Sequence, residues 1–243
     1  MVRTIKNDLV KMFSSYHFYL CVLAWGGIYT FSCWKFQSEQ LQVGSDLPNL
    51  LWSIFGGSII LYCFLACVIG GSLLYCAEER HRYLQFEIQR IGVKKYVASK
   101  LCVSYTGGFL VVLLGTVLTA ILIYMMFYVG LEDKLWDMME IQQLAWTVLG
   151  HCMLCGILSV MGYLTAVFYS NVYVAMTIPI VVYYALLALY GIFSVPDKVQ
   201  FHKYFIYLDS RGGLISACIW SVCMLAVFYI IAVYRTKRRL EHA

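Results

Sequence analysis

Three stretches of this chain carry side chains whose types and spacing could do chemistry. His151-Cys152-Met153-Leu154-Cys155 sets an imidazole beside a C-x-x-C pair, the donor set of a thiol redox couple or a soft metal site. Glu78-Glu79 offers paired carboxylates, which with downstream histidines could activate water against a peptide bond. Between 77 and 100, acidic and basic residues alternate with Tyr83, Phe86 and Tyr96, a mixture suited to recognising another macromolecule. Which chemistry is open depends on the elements that hold these residues.

Hydrophobic residues make up 62% of the chain and charged residues 13%, with a mean hydropathy of +0.75. A soluble domain of this size has too little interior to hide that much apolar surface. Disorder is excluded as well, since disordered chains are rich in charge and poor in aromatics. The composition is that of an all-α integral membrane protein. The net charge of +5 implies no nucleic-acid partner, because the basic residues lie beside apolar spans and form no groove-sized field.

A spanning helix needs about 20 mostly apolar residues. Six segments qualify: 16–34, 51–76, 101–128, 144–169, 172–194 and 213–234. The run from 141 to 196 has no formal charge and must hold two helices, with Tyr169-Ser170-Asn171 as the turn between them. Pro179 then falls inside the fifth span, where a kink is tolerated. No segment alternates with period two, so a closed barrel is excluded. With the N-terminus inside, 13 of the 18 Lys and Arg fall on the cytoplasmic side and 5 outside. That bias predicts a multi-pass protein of the cell membrane with both termini cytoplasmic. The first span is too long for a signal-peptide core and no small-x-small site follows it, so it is expected to be retained.

These placements reweigh the chemistry. His151, Cys152 and Cys155 lie within the fourth span, and no cysteine sits well inside an external loop to complete a disulfide relay. The ten cysteines read as small apolar packing residues. His151 reads as a residue making one structural hydrogen bond or lining a pathway. Glu78-Glu79 sits among arginines at the membrane border rather than at depth, which disfavours a protease. Spans two to five carry no Asp, Glu, Lys or Arg at depth, which disfavours a proton-coupled carrier. Gly56-Gly57, Gly70-Gly71, Gly107-Gly108 with Gly115, and Gly156 with Gly162 allow close helix contact, in a tight bundle or a dimer.

The segment 77–100 is the most informative. Leu84, Ile88 and Ile91 recur at i, i+4 and i+7, an apolar stripe on a short helix that Gly92 can stop. Two uses compete: an interfacial helix lying on anionic lipid, and a docking element for a cytoplasmic partner. In the N-terminal stretch 1–15, Val2, Ile5, Leu9 and Met12-Phe13 share one face with Arg3, Lys6 and Lys11 interspersed, an amphipathic helix expected to rest on membrane lipids.

An N-terminal amphipathic helix, six spans, and a charged helix-turn between spans two and three together resemble the ABC type-2 transporter permeases. That family commonly has an acidic residue after span two, a short helix, a Gly or Pro break, basic residues and a Lys opening span three. Here Glu78 or Glu79, residues 84–91, Gly92, Lys94-Lys95 and Lys100 correspond. The resemblance covers nearly the whole chain by topology and about two dozen residues by motif. It implies a single transmembrane domain over 1–243, with 77–100 as the cytoplasmic coupling segment. Phe86, Glu87, Arg90, Ile91, Gly92, Lys94, Lys95 and Tyr96 would then dock an ATPase subunit. It also implies a second permease subunit, identical or different, and an external segment at 195–212 of the kind that re-enters the membrane, where Tyr204, Phe205 and Tyr207 form a candidate gate. His151, Tyr183 and Tyr184 are candidate pathway residues for an amphipathic, lipid-like or peptide cargo.

The chain has no G-x-x-x-x-G-K-[ST] phosphate loop, so ATP and Mg2+ would bind in the partner ATPase. No catalytic residue and no metal site are expected in the chain. An ordinary loop with an aromatic belt is the other reading of 195–212. The alternative function is a six-span membrane enzyme with a redox or metal site at His151, Cys152 and Cys155.

Overall fold

The computed structural model describes residues 2–39, 65–68, 75–79, 83–127, 138–196, 200, 203–206 and 211–241. Among these every regular element is helical: α1 (Val2–Ser14), α2 (Tyr16–Glu39), α3 (Tyr83–Ile91), α4 (Val93–Phe127), α5 (Met138–Tyr169), α6 (Val172–Ile192), α7 (Lys203–Ile206) and α8 (Arg211–Glu241). Residues 65–68 and 75–79 are helical too. Four helices are long and apolar enough to cross a membrane, over Val93–Met126, Ile141–Tyr169, Val172–Ile192 and Gly213–Glu241. They match the third to sixth expected spans. The first expected span forms α2, which is long enough but less apolar than those four, since Tyr16, His17, Trp25 and the Gly26-Gly27 pair dilute its aliphatics. The second, 51–76, lies outside the described residues except for 65–68 and 75–76.

Of the boundaries that move, two do so for one reason. α4 starts at Val93 rather than at 101, and α8 runs on to Glu241 rather than stopping at 234. Hydropathy marks where the apolar run ends, whereas backbone bonding continues through Lys and Arg, which are good helix formers. The expected docking residues, Phe86 to Tyr96, therefore fall on two helices. Gly92 has φ +81, a left-handed position favouring glycine, and it separates α3 from α4. Its N–H donates to the Ile88 carbonyl at 2.8 Å, and Tyr96 N–H donates to the Gly92 carbonyl at 3.0 Å.

The α5–α6 turn falls where the sequence places it. Ser170 takes φ 54, its N–H donates to the Ala166 carbonyl at 2.8 Å, and the Asn171 side chain caps α6 by accepting from Tyr173 N–H at 2.9 Å. Pro179 lies inside α6 and has no N–H for the carbonyl of Ala175 one turn earlier. Thr165 of α5 donates its hydroxyl to that carbonyl at 3.1 Å, so Pro179 leaves no orphan there.

The core runs along α5, where every residue from 151 to 160 is buried. α5 packs against α4, α6, α7 and α8, and α4 packs in turn against α1, α2, α3 and α8. Glycines set the closest crossings. A Cβ on Gly108 would meet the Cys155 carbonyl oxygen at 2.6 Å and Ser159 Cβ at 2.7 Å, and one on Gly156 would meet the Tyr105 ring at 2.8 Å. Gly115 lies under Trp25, and Gly26 under Leu118, along the α2–α4 seam. Small residues let backbones approach in just this way where lipid supplies no hydrophobic drive to associate.

Candidate docking face and its ionic support

Two turns into α4, Lys100 is 2% exposed and holds the centre of a charged cluster. Its Nζ lies 3.0 Å from Asp8 Oδ1, 2.6 Å from Glu78 Oε1 and 3.6 Å from Glu87 Oε2. Lys11 closes the cluster from α1, 3.3 Å from Glu87, 3.6 Å from Glu78 and 3.8 Å from Asp8. Ser99 donates to Asp8 at 2.8 Å and Tyr96 to Glu78 at 3.1 Å. Lys11 also stands over the Tyr83 ring and Lys100 over the Tyr96 ring. A buried ion is tolerated only when paired and hydrogen-bonded, and each carboxylate here has partners. Burial alone would lower the Lys11 pKa, but Glu78, Glu87 and Asp8 outweigh it, and the ammonium is held above its ordinary value. The three carboxylates come within 4.8 Å of one another, a spacing that could hold a metal ion. The Lys100 ammonium, bonded to two of them, already acts as their cation.

The cluster joins four pieces of chain: α1, the helical residues 75–79, α3 and the start of α4. It also orients α3. Leu84, Ile88 and Ile91 pack against the core, and Glu87 turns inward to the lysines. The opposite side presents Phe86, 71% exposed, and Tyr83, 49% exposed, with Arg90, Lys94 and Lys95 exposed beside them. The eight expected docking residues therefore divide. Phe86, Arg90, Gly92, Lys94 and Lys95 are open to a partner. Tyr96 is buried and bonded to Glu78, Glu87 is braced inward, and Ile91 packs on the core.

Glu79 makes a second anchor. Its Oε1 accepts from Arg239 Nη1 at 2.8 Å and from Ser170 Oγ at 2.7 Å. Arg239 Nη2 donates to Ser170 Oγ at 2.7 Å and to the Phe168 carbonyl at 3.2 Å. Adjacent glutamates thus tie residues 75–79 to α1 and α4 through Glu78, and to the α5–α6 turn and the end of α8 through Glu79. Sequence reasoning missed Asp8 and Arg239 as site residues. Asp8 leaves a trace, since it falls among Ile5, Leu9 and Met12 on the face read as apolar; Arg239 leaves none.

Comparison with protein-family models, curated proteins and solved structures finds no match.

The remaining candidates are dispersed. His151 is buried and its Nδ1 lies 2.8 Å from the Thr147 carbonyl of its own helix, the geometry of a local helix bond. Cys152 and Cys155 are buried, with no disulfide between them. Among the described residues the grouping with metal-ligand spacing is the carboxylate one, not His151 with these cysteines. Tyr183 is buried whereas Tyr184 is exposed, and their rings meet edge to face at 5.6 Å. Phe205 is buried on the short helix α7, Tyr204 belongs to the same helix, and Tyr207 lies outside the described residues.

Proposed function

We propose that this chain is the membrane-spanning permease subunit of an ABC exporter of the cell membrane, with six spans and cytoplasmic termini. It works as a homo- or heterodimer with two ATPase subunits and moves an amphipathic, lipid-like or peptide cargo by alternating access. The observation that carries this reading is α3. A short helix offers Phe86, Tyr83 and Arg90 outward while its inner face is braced through Glu87 into Lys100 and Lys11. An aromatic and an arginine on an exposed helix are the residues that anchor interfaces. A face that must transmit force from a partner also needs rigid support, and the ionic cluster supplies it by tying α3 to α1, to residues 75–79 and to α4. ATP and Mg2+ belong to the partner, whose nucleotide-driven closure would push α3 and, through Glu87 and Lys100, the start of α4. Arg90, Lys94 and Lys95 would tune encounter rate more than affinity.

The test uses Phe86→Asp, which puts an unpaired carboxylate into an apolar groove of the partner. Phe86 is exposed in the isolated chain, so folding and membrane insertion should survive. Co-purification in detergent of a phosphate-loop ATPase encoded beside this chain should fall at least about tenfold, because burying a charge costs several kcal/mol. Retention at wild-type stoichiometry, with coupled turnover intact, rejects docking through this helix. A helix that only rests on lipid would give that result.

A further inference from the structure

The N-terminal helix turns toward the bundle the face that was expected to meet lipid. Ile5, Leu9 and Met12 pack on the core, and Asp8 between them accepts from Ser99 at 2.8 Å and from Lys100 at 3.0 Å. A Cβ on Gly107 would meet Met12 Sδ at 2.9 Å. These contacts fix the depth of α1 as well as its rotation. Asp8 is level with Ser99 and Lys100, which stand just ahead of the apolar run of α4 that opens at Leu101. Met12 is level with Gly107, about 10 Å further along α4 at 1.5 Å per residue. The helix therefore slants from the headgroup level at Lys6 toward the hydrocarbon at Phe13.

Its other edge is open. Val10 is 58% exposed and Phe13 40%. A shallow groove of about 380 Å³ lies between Ile5, Lys6, Leu9, Val10 and Phe13. Its wall is apolar throughout, and Lys6 contributes only its methylene stem to it. The Lys6 ammonium stands at the shallow end, where such a stem keeps its carbons on apolar surface and its charge in the polar layer. Lys11 is engaged by Asp8, Glu78 and Glu87. Lys6 is exposed and has no acidic partner among the described residues.

We propose that this groove holds one anionic phospholipid of the leaflet bordering the basic end of the bundle. The lipid phosphate lies against the Lys6 ammonium, and the first carbons of an acyl chain run along Val10 and Phe13. The slant of α1 supplies the order of the two contacts, charge at the shallow end and apolar wall at the deep end, which is the order of a phospholipid. The groove is too apolar for a free phosphate, and its depth places it against lipid rather than against a cytoplasmic protein. A basic residue near an anionic membrane surface contributes a modest, additive attraction. The inference concerns the outer edge of α1 and holds whether or not an ATPase docks on α3.

The test uses the full chain, delipidated in detergent, with dioleoyl phosphatidylglycerol, dioleoyl phosphatidylcholine and soluble glycerophosphoglycerol as probes. Native mass spectrometry reads the tightest-bound lipid, and thermal unfolding without lipid checks the fold. Phosphatidylglycerol should be retained about fivefold more strongly than phosphatidylcholine, the scale of one lysine at an anionic surface. Lys6→Gln should remove that preference, whereas Lys95→Gln, an exposed cation away from the groove, should keep it. Val10→Asp should weaken phosphatidylglycerol retention at least about tenfold by putting a carboxylate in the path of the acyl chain. Both altered groove residues are exposed, so the lipid-free midpoints should match the wild type. Soluble glycerophosphoglycerol, which has no acyl chain, should fail to compete. Equal retention of the two phospholipids overturns the assignment. So does an equal loss of preference in Lys6→Gln and Lys95→Gln, which marks diffuse charge, or wild-type retention in Val10→Asp. Competition by the soluble headgroup overturns it as well.

Discussion

At the scale of residues, the charged cluster makes unequal demands on its two lysines. Lys100 is buried and bonded to Asp8 and Glu78, whereas the Lys11 side chain is 42% exposed. Lys100→Met would leave Asp8, 1% exposed, beside two other carboxylates with only Lys11 to offset them. We expect a loss of about 3–5 kcal/mol, the scale for breaking a buried pair from one side, read as a lower unfolding midpoint in detergent. Lys11→Met should cost at most about 1 kcal/mol, since solvent screens an exposed ammonium. The Lys11 pKa is raised from 10.5 on folding, so its contribution is complete below that value and disappears as pH rises through the higher folded value. Limited proteolysis of α1 across that alkaline window should therefore accelerate in the wild type. In Lys11→Met, which has no ammonium to lose, this step should be absent.

At the scale of elements, glycine marks the seams that set helix spacing. Gly108 faces the backbone of α5, which cannot move aside like the end of a flexible side chain, so Gly108→Ala should cost about 1–3 kcal/mol through overpacking at α4–α5. Gly27 on α2 has nothing within 4 Å of a Cβ, and Gly27→Ala should stabilise by up to about 1 kcal/mol through helix propensity alone. Thermal unfolding of both variants checks the contrast; a Gly108→Ala protein as stable as Gly27→Ala would mean that the seam is looser than drawn. The sequence marked Gly107-Gly108, Gly115 and Gly156 as small contact positions. Their partners Trp25, Tyr105 and Cys155 could not be read, because pairing depends on how helices rotate about their axes. The turn at 169–171 was legible because Ser and Asn act locally.

At the scale of the whole molecule, Glu78, Glu79 and Glu87 draw α1, α3, the start of α4, the α5–α6 turn and the end of α8 to one end of the bundle. That end holds Lys6, Lys11, Arg90, Lys94, Lys95, Lys100 and the basic tail of α8, the residues that the positive-inside count assigns to the cytoplasm. In intact cells, an impermeant thiol reagent should label Lys35→Cys and Ser194→Cys, and should spare Arg90→Cys and Lys237→Cys until the membrane is opened. External labelling at Arg90→Cys would remove any route for a cytoplasmic ATPase to reach α3.

By itself the sequence determined the membrane class, the four strongly apolar helices, the break at Gly92 and the turn at Ser170, because hydropathy and backbone preference act within a few residues of chain. It also showed a charged helix just ahead of the first of those four. Which side of that helix faces out was decided only by the tertiary structure. Phe86 and Ile88 are both large and apolar, and only the position of the bundle buries Ile88 and leaves Phe86 exposed. The ionic support was decided there too, since Asp8 and Lys100 are 92 residues apart in the chain and 3.0 Å apart in space. Ion pairs form where helices meet, and no local pattern encodes that meeting.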